Sequence, residues 1–189
     1  MDKFVGCGSG HFYLSVNHNA EFIKSYFNKL ESTEYNIDYF QEDRPLGTAG
    51  SLKLLEDKIK TIFFVSNCDI IIDEDYSHIL QYHKENNNDI TMVTALKNYS
   101  IPYGIVETTE NGLLANLKEK LNLSYQINTG LYILEPSVLE FIPKGDFFHI
   151  THLMEKIVAN GEKVGCFPVS EKSWIDIGDW KEYLKYINI

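Results

Sequence analysis

The sequence predicts an α/β fold: a Rossmann-like, mostly parallel sheet with helices on both faces. Three observations carry that expectation. Short apolar runs of strand length alternate along the chain with segments whose apolar residues recur at helical spacing. That alternation is the pattern of an open sheet covered on both faces. No internal repeat, low-complexity tract or linker interrupts it, so residues 1–189 read as a single domain with a full-sized core.

The elements follow in order. His11-Phe-Tyr-Leu-Ser-Val16 reads as a strand, and Phe22, Ile23, Tyr26, Phe27 and Leu30 as one helix face. Ile37, Tyr39 and Gln41 mark a short strand, and Leu52, Leu54, Leu55 and Ile59 a further helix. Thr61-Ile-Phe-Phe-Val-Ser66 is a strand of β-branched and aromatic residues. Asp73 is placed to cap a helix that turns Tyr76, Ile79, Leu80 and His83 inward. Asp89 to Leu96 is a strand, and Tyr103 to Leu117 is a pair of extended stretches around the Asn111-Gly112 turn. Ile127 to Leu134 is a strand, with Pro136 opening a short helix. Ile150, Leu153, Met154, Ile157 and Val158 form a stripe that Gly161 ends. Trp180, Tyr183, Leu184 and Ile187 form the last stripe, capped by Asp179.

Charge narrows the partners. With 27 acidic against 17 basic residues, the net charge is -10. This argues against a nucleic-acid backbone or an anionic membrane as a main partner, while leaving room for a phosphorylated metabolite beside a local cation. Cys7, Cys68 and Cys166 are odd in number and widely spaced, the pattern of free thiols in a reducing compartment. No apolar run approaches the ~20 residues of a membrane-spanning helix, and the opening Met1-Asp2-Lys3 does not read as a signal peptide. A cytoplasmic location is the default expectation.

In a sheet of this type ligands gather outside the carboxyl ends of the strands, which draws attention to residues just after the apolar runs. Asp69 follows Phe63-Phe-Val-Ser-Asn-Cys68. It suits either a carboxylate that holds a hard cation against a phosphate or an ordinary turn or cap residue. Asp176, within Trp174-Ile-Asp-Ile-Gly178, fits either a structural salt bridge or the second carboxylate of a metal-assisted phosphoryl site. Leu46-Gly-Thr-Ala-Gly50 brings small residues to a strand–helix junction, where backbone can approach a ligand, though the composition is also that of an ordinary loop. In Lys118-Glu-Lys-Leu121, Lys120 could meet a phosphate and Glu119 a sugar hydroxyl, or the run is a solvated face. Gly6-Cys-Gly-Ser-Gly10 precedes a strand and lacks a lysine partner, so it reads as a turn and not as a phosphate loop. His149 and His152 lack the further ligands a metal site needs.

In order, Phe12-Tyr-Leu-Ser-Val-Asn17, Glu42-Asp-Arg-Pro-Leu-Gly-Thr-Ala-Gly50, Asn67-Cys-Asp69, Pro102-Tyr-Gly-Ile-Val-Glu107, Glu119-Lys120, Asn128-Thr-Gly-Leu-Tyr132 and Trp174-Ile-Asp-Ile-Gly178 resemble the sugar-1-phosphate nucleotidyltransferases, in particular the mannose-1-phosphate guanylyltransferase-like group. The resemblance covers nearly the whole chain. It implies the nucleotide-diphospho-sugar transferase fold. It also implies attack of a sugar-1-phosphate on the α-phosphate of a nucleoside triphosphate, with release of pyrophosphate. Asp69 and Asp176 match the family's magnesium (Mg2+) ligands. Glu42, Gly47 and Thr48 match the loop that faces the nucleobase. Gly104, Glu119 and Asn128 match positions that line the sugar, and Lys120 matches the lysine that meets its phosphate. The carry-over makes Asp69, Lys120 and Asp176 the catalytic set. Glu42 could accept from guanine's ring N–H and amino group, which slightly favours GTP over UTP; the acceptor is a hexose- or heptose-1-phosphate.

The sequence also departs from the family. Cys68 stands in place of the usual glycine, and Leu121 in place of the usual proline. The family opens with a strand and a G-x-G-T-R-L-x-P loop, whereas Met1 falls roughly where its first helix is ending. The expectation is therefore an N-terminally truncated domain, lacking that loop and a central strand, that does not transfer nucleotides by itself. His11–Val16 and Thr61–Ser66 would then be left as open edges, leading to a rearranged sheet or self-association. The alternative is a non-catalytic remnant that binds a sugar phosphate or a partner.

Overall fold

The computed structural model describes residues 1–17, 19–30, 33–178 and 184. Along the chain run α1 (Asp2–Gly6), β1 (His11–Ser15), α2 (Ala20–Lys29), β2 (Asn36–Phe40), α3 (Gly47–Gly50) with a 3-10 turn at Ser51–Leu55, β3 (Phe63–Ser66), β4 (Ile70–Ile72) and α4 (Tyr76–Asn86). Then follow β5 (Ile90–Ser100), β6 (Ile105–Thr108), β7 (Leu114–Lys118), β8 (Asn122–Leu134), α5 (Ile150–Ala159), β9 (Val164–Ser170) and β10 (Trp174–Asp176). The α/β class is as the sequence predicts. β1 and β2 pair in parallel, β3 pairs antiparallel with β8 in the order β3-β8-β5-β9, and β4–β10 and β6–β7 are antiparallel pairs.

The chain divides into two compact units, one of residues 1–67, 74–92 and 130–167, the other of residues 68–73, 93–129 and 168–189. The first holds the main core, in which Leu153 and Ile157 of α5 and Ile90, Tyr132 and Leu134 of the sheet are buried together. In that unit β8 contributes an unbroken buried run, Leu131 to Leu134, because a strand covered on both faces selects continuous apolar sequence in place of alternation. The second unit is lighter. Its β6–β7 hairpin turns at Asn111-Gly112, where Gly112 takes φ +75, and Glu107 binds Lys118 across the pair at 2.7 Å.

Several elements differ from the sequence expectation. The helix is capped by Asp75, whose carboxylate accepts from Ser77 N at 2.8 Å, and not by Asp73. Those bonds to Ser77 hold the Asp75 carboxyl below its ordinary pKa. Leu52 and Leu55 are buried from a 3-10 turn, which leaves Leu54 exposed, where the spacing had suggested a longer helix. The α2 stripe is half covered: Ile23 and Phe27 are partly buried, while Phe22 and Tyr26 face outward. β8 begins at Asn122, earlier than the apolar run indicates, because exposed polar residues (Asn122, Ser124 and Gln126) interrupt its first part. Asp179, Trp180, Tyr183 and Ile187 of the last stripe lie outside the described residues.

Candidate functional site

In the second unit, β4 and β10 are short antiparallel partners, with Asp176 opposite Ile70 and Ile177 N donating to Asp69 O at 2.8 Å. This register sets Asp69, just before β4, beside Asp176, the last residue of β10. A methyl group on Gly178 would lie 2.7 Å from Asp69 Oδ2 and 3.1 Å from Asp176 Oδ1, so both carboxylates converge on the space that this glycine leaves open. The two oxygens are therefore no more than about 6 Å apart. Gly178 N also donates to Asp176 Oδ1 at 3.0 Å, which fixes that oxygen. Asp69 is exposed and Asp176 half-buried, and among the described residues no basic side chain pairs with either. Two like charges brought together without a counter-charge form a site for a hard cation with oxygen ligands. Among the described residues no cluster of three or more His, Cys, Asp or Glu side chains completes a metal cage, so the pair suits an ion whose other ligands come from water or a phosphate.

The same unit holds the other nominated residues of this half. Glu119 Oε1 lies 3.1 Å from where a Cβ on Gly104 would sit, so the glycine lets the carboxylate close over it. Lys120 follows in a left-handed turn at φ +48, and Ile101 N donates to Leu121 O at 2.9 Å just beyond. Glu119, Lys120 and Asn128 are all exposed. Asn128, on β8, precedes Thr129, whose hydroxyl donates to Val93 O at 2.8 Å.

Glu42, Gly47 and Thr48 occupy the first unit, and there the structure gives them partners. Glu42 accepts from Ser15 Oγ at 3.0 Å and from Leu46 N at 2.9 Å, so its carboxylate ties the loop back to β1. Gly47 has φ +78, and a Cβ there would meet Phe148 O at 2.7 Å. Thr48 Oγ1 accepts from Ile150 N at 3.0 Å, capping α5, and lies 3.4 Å from His149 Nδ1. Sequence reasoning passed over Ser15, Phe148 and His149 as members of this arrangement. His149 carried no usable signal because it lies 101 residues from Thr48. Gly178 had a signal, since glycine two residues after a partly buried aspartate marks a close approach.

Fold and carboxylate pair together describe an α/β domain in which two acidic side chains converge at the end of a short strand pair. The model of the Nucleotidyl transferase family matches residues 9–188, and the chain belongs to that family. It is 32% identical over 97% of its length to "Probable mannose-1-phosphate guanylyltransferase 3" of Arabidopsis thaliana, covering 58% of that protein. It is 31% identical to a mannose-1-phosphate guanyltransferase of Yarrowia lipolytica, with 97% and 52% of the two chains covered. A UTP–glucose-1-phosphate uridylyltransferase of Synechocystis is 31% identical over 95% of this chain and 51% of its own. The chain thus spans about half the length of these curated relatives. Among solved structures, HddC from Yersinia pseudotuberculosis superposes with a TM-score of 0.72 at 22% identity, over 98% of this chain and 80% of that one, which establishes the shared fold.

Proposed function

We propose that the chain carries the cation-binding and sugar-phosphate half of a sugar-1-phosphate nucleotidyltransferase, a reaction in which a nucleoside monophosphate passes from a triphosphate to a sugar-1-phosphate and pyrophosphate leaves. The observation that carries this reading is the convergence of Asp69 and Asp176 at Gly178, in a chain of the Nucleotidyl transferase family.

In this reading Asp69 and Asp176 hold Mg2+, which when bound neutralises phosphate charge and orients the α-phosphate. Lys120 supplies a point charge to the sugar phosphate, while Glu119 and Asn128 accept and donate to sugar hydroxyls beside Gly104. No protein nucleophile is needed, because transfer of this kind depends on alignment and charge neutralisation. The acceptor class is a hexose- or heptose-1-phosphate. GTP is slightly favoured over UTP, supported by the guanylyltransferase relatives and by the lone pairs left on Glu42.

The test pairs binding with turnover. Manganese binding is measured by electron paramagnetic resonance, with GTP or UTP present, for the wild type, Asp69→Asn and Asp176→Asn. Pyrophosphate release is followed with magnesium and a panel of hexose- and heptose-1-phosphates. Tight manganese binding that both variants lose supports the reading, and sugar-phosphate binding without any pyrophosphate release points to a binding protein instead. Unchanged manganese affinity in both variants would sink the metal assignment.

A further inference from the structure

The last turn of α4 holds a buried polar atom with no match. His83 is 1% exposed, and its Nε2 meets no hydrogen-bond partner among the described residues. An unmatched polar atom at that depth costs stability unless something from outside the chain answers it. His83 lines a cavity of about 450 Å³ in the first unit, together with Lys84, Asn88, Asp89 and Glu135.

The backbone stitches these residues together. Asn88 N donates to His83 O at 3.2 Å, and Glu135 N donates to Asp89 O at 2.9 Å. The end of α4, the start of β5 and the end of β8 therefore meet at one place. On one side of the ring, Nδ1 lies 2.8 Å from the buried hydroxyl of Thr91, and Asn88 Nδ2 donates to the same oxygen at 3.0 Å. A hydroxyl has two lone pairs, enough to accept from both nitrogens. With Nδ1–H given to Thr91, Nε2 is a bare lone pair. It looks toward Glu135 Oε1 at 3.6 Å, which is beyond hydrogen-bond reach. Two acceptors so placed repel one another unless a positive charge lies between them. The span also suits two ligands of one metal ion: bonds of about 2.1 Å to each would make an angle of roughly 115–120° at the ion, close to tetrahedral.

We propose that His83 Nε2 and Glu135 Oε1 bind a divalent transition metal ion of borderline softness, such as zinc or cobalt. An imidazole–carboxylate pair favours such ions over magnesium or calcium, which take oxygen ligands. The bond from Nδ1 to Thr91 is the outer contact that fixes the ring and tautomer of a metal-binding histidine. Asp89 Oδ2 accepts from Lys163 N at 2.9 Å, so Asp89 supplies negative charge and not a ligand. With Glu135 it outweighs Lys84, the opposing charge on the cavity wall. Among the described residues no third His, Cys, Asp or Glu side chain joins the pair, so water completes the coordination and the ion is exchangeable. Bound there, the ion ties α4 to the strand ends and stabilises the first unit.

The test titrates cobalt(II) or zinc(II) alone into the full 189-residue chain, freed of metal with a chelator. Nitrogen-15 NMR follows the His83 ring, assigned by its loss in His83→Gln, and the cobalt absorption spectrum reads the coordination number. Metal is expected to shift Nε2, to give the spectrum of four-coordinate cobalt and to raise Tm with concentration. Glu135→Gln keeps the size of a half-exposed side chain and is expected to weaken cobalt binding at least about tenfold, while Asp69→Asn leaves it unchanged. An Nε2 resonance that millimolar metal does not move, or that carries a proton throughout the titration, overturns the proposal. So does wild-type affinity in Glu135→Gln. Affinity lost in Asp69→Asn and kept in Glu135→Gln would assign the ion to the carboxylate pair and overturn it equally.

Discussion

The Glu42–Gly50 loop and the Asp69–Asp176 pair begin from the same kind of sequence signal, an acidic residue and small residues at a strand end, and reach opposite outcomes. In the loop, Glu42 and Thr48 are engaged by their own unit: Glu42 by Ser15 and Leu46, Thr48 by the first N–H of α5. In the pair, backbone geometry brings two carboxylates together around Gly178 and no basic side chain among the described residues answers them. The difference is whether a polar group's partners lie within its own unit. A buried or half-buried polar group that finds internal partners stabilises the fold, whereas converging like charges cost stability unless something outside the chain neutralises them.

The sharpest way to break this contrast is Gly47→Ala. Its φ of +78 and the approach to Phe148 O leave no room for a methyl group. A loss of about 3 kcal/mol in urea unfolding is expected, from left-handed strain plus the clash. A loss below about 0.5 kcal/mol would show the loop to be looser than its contacts imply. On the other side, Asp69→Asn should weaken manganese binding about a hundredfold, a change of about 2.7 kcal/mol, while leaving Tm unchanged or raised. A marked fall in Tm would mean that Asp69 is structural after all.

How far the sequence reaches follows the same division. The strands Phe63–Ser66 and Leu131–Leu134 were legible because they are apolar, and the Asn111-Gly112 hairpin because its turn chemistry is local. The Asp69–Asp176 pairing was legible only through the resemblance, since 107 residues separate them and nothing local predicts the β4–β10 register. What stayed hidden was the set of partners. Ser15 and His149 are unremarkable in sequence, and only the fold brings them to Glu42 and Thr48. Asp73 misled because either of two nearby aspartates suits a cap, and the helix starts from Asp75.

A middle-sized effect tests whether Thr48 acts as scaffold. Thr48→Val keeps the shape and removes the oxygen that accepts from Ile150 N. A loss of about 1 kcal/mol is expected, as for removal of a helix cap, with exchange at the start of α5 accelerated. If stability holds and nucleotide binding falls, Thr48 belongs with the ligand-facing residues and the contrast between the two regions narrows.

The smallest effect concerns a buried titratable group of the first unit. His83 is 1% exposed, its Nδ1 is 2.8 Å from Thr91 Oγ1, and Asn88 Nδ2 donates to the same hydroxyl at 3.0 Å. Burial pushes its pKa below the ordinary 6.5, and the carboxylates of Glu135, 3.6 Å away, and Asp89 offset part of that shift, while Lys84 adds to it. The folded protein thus holds His83 neutral over a range where the unfolded chain binds a proton. Between the folded and the ordinary pKa the unfolded state carries more protons, so stability rises with pH. His83 therefore adds nothing to the pH dependence well above 6.5 and costs stability as pH falls through 6.5 and below. The offset from Glu135 and Asp89 keeps the effect small. Urea midpoints at pH 5.5, 6.5 and 8 are expected to fall toward acid in the wild type, with a flatter profile for His83→Gln even though that variant is weaker throughout. Parallel profiles for the two proteins would mean that Glu135 has already neutralised the burial penalty, and that this polar group, like the carboxylates of the pair, is governed by charge and not by enclosure.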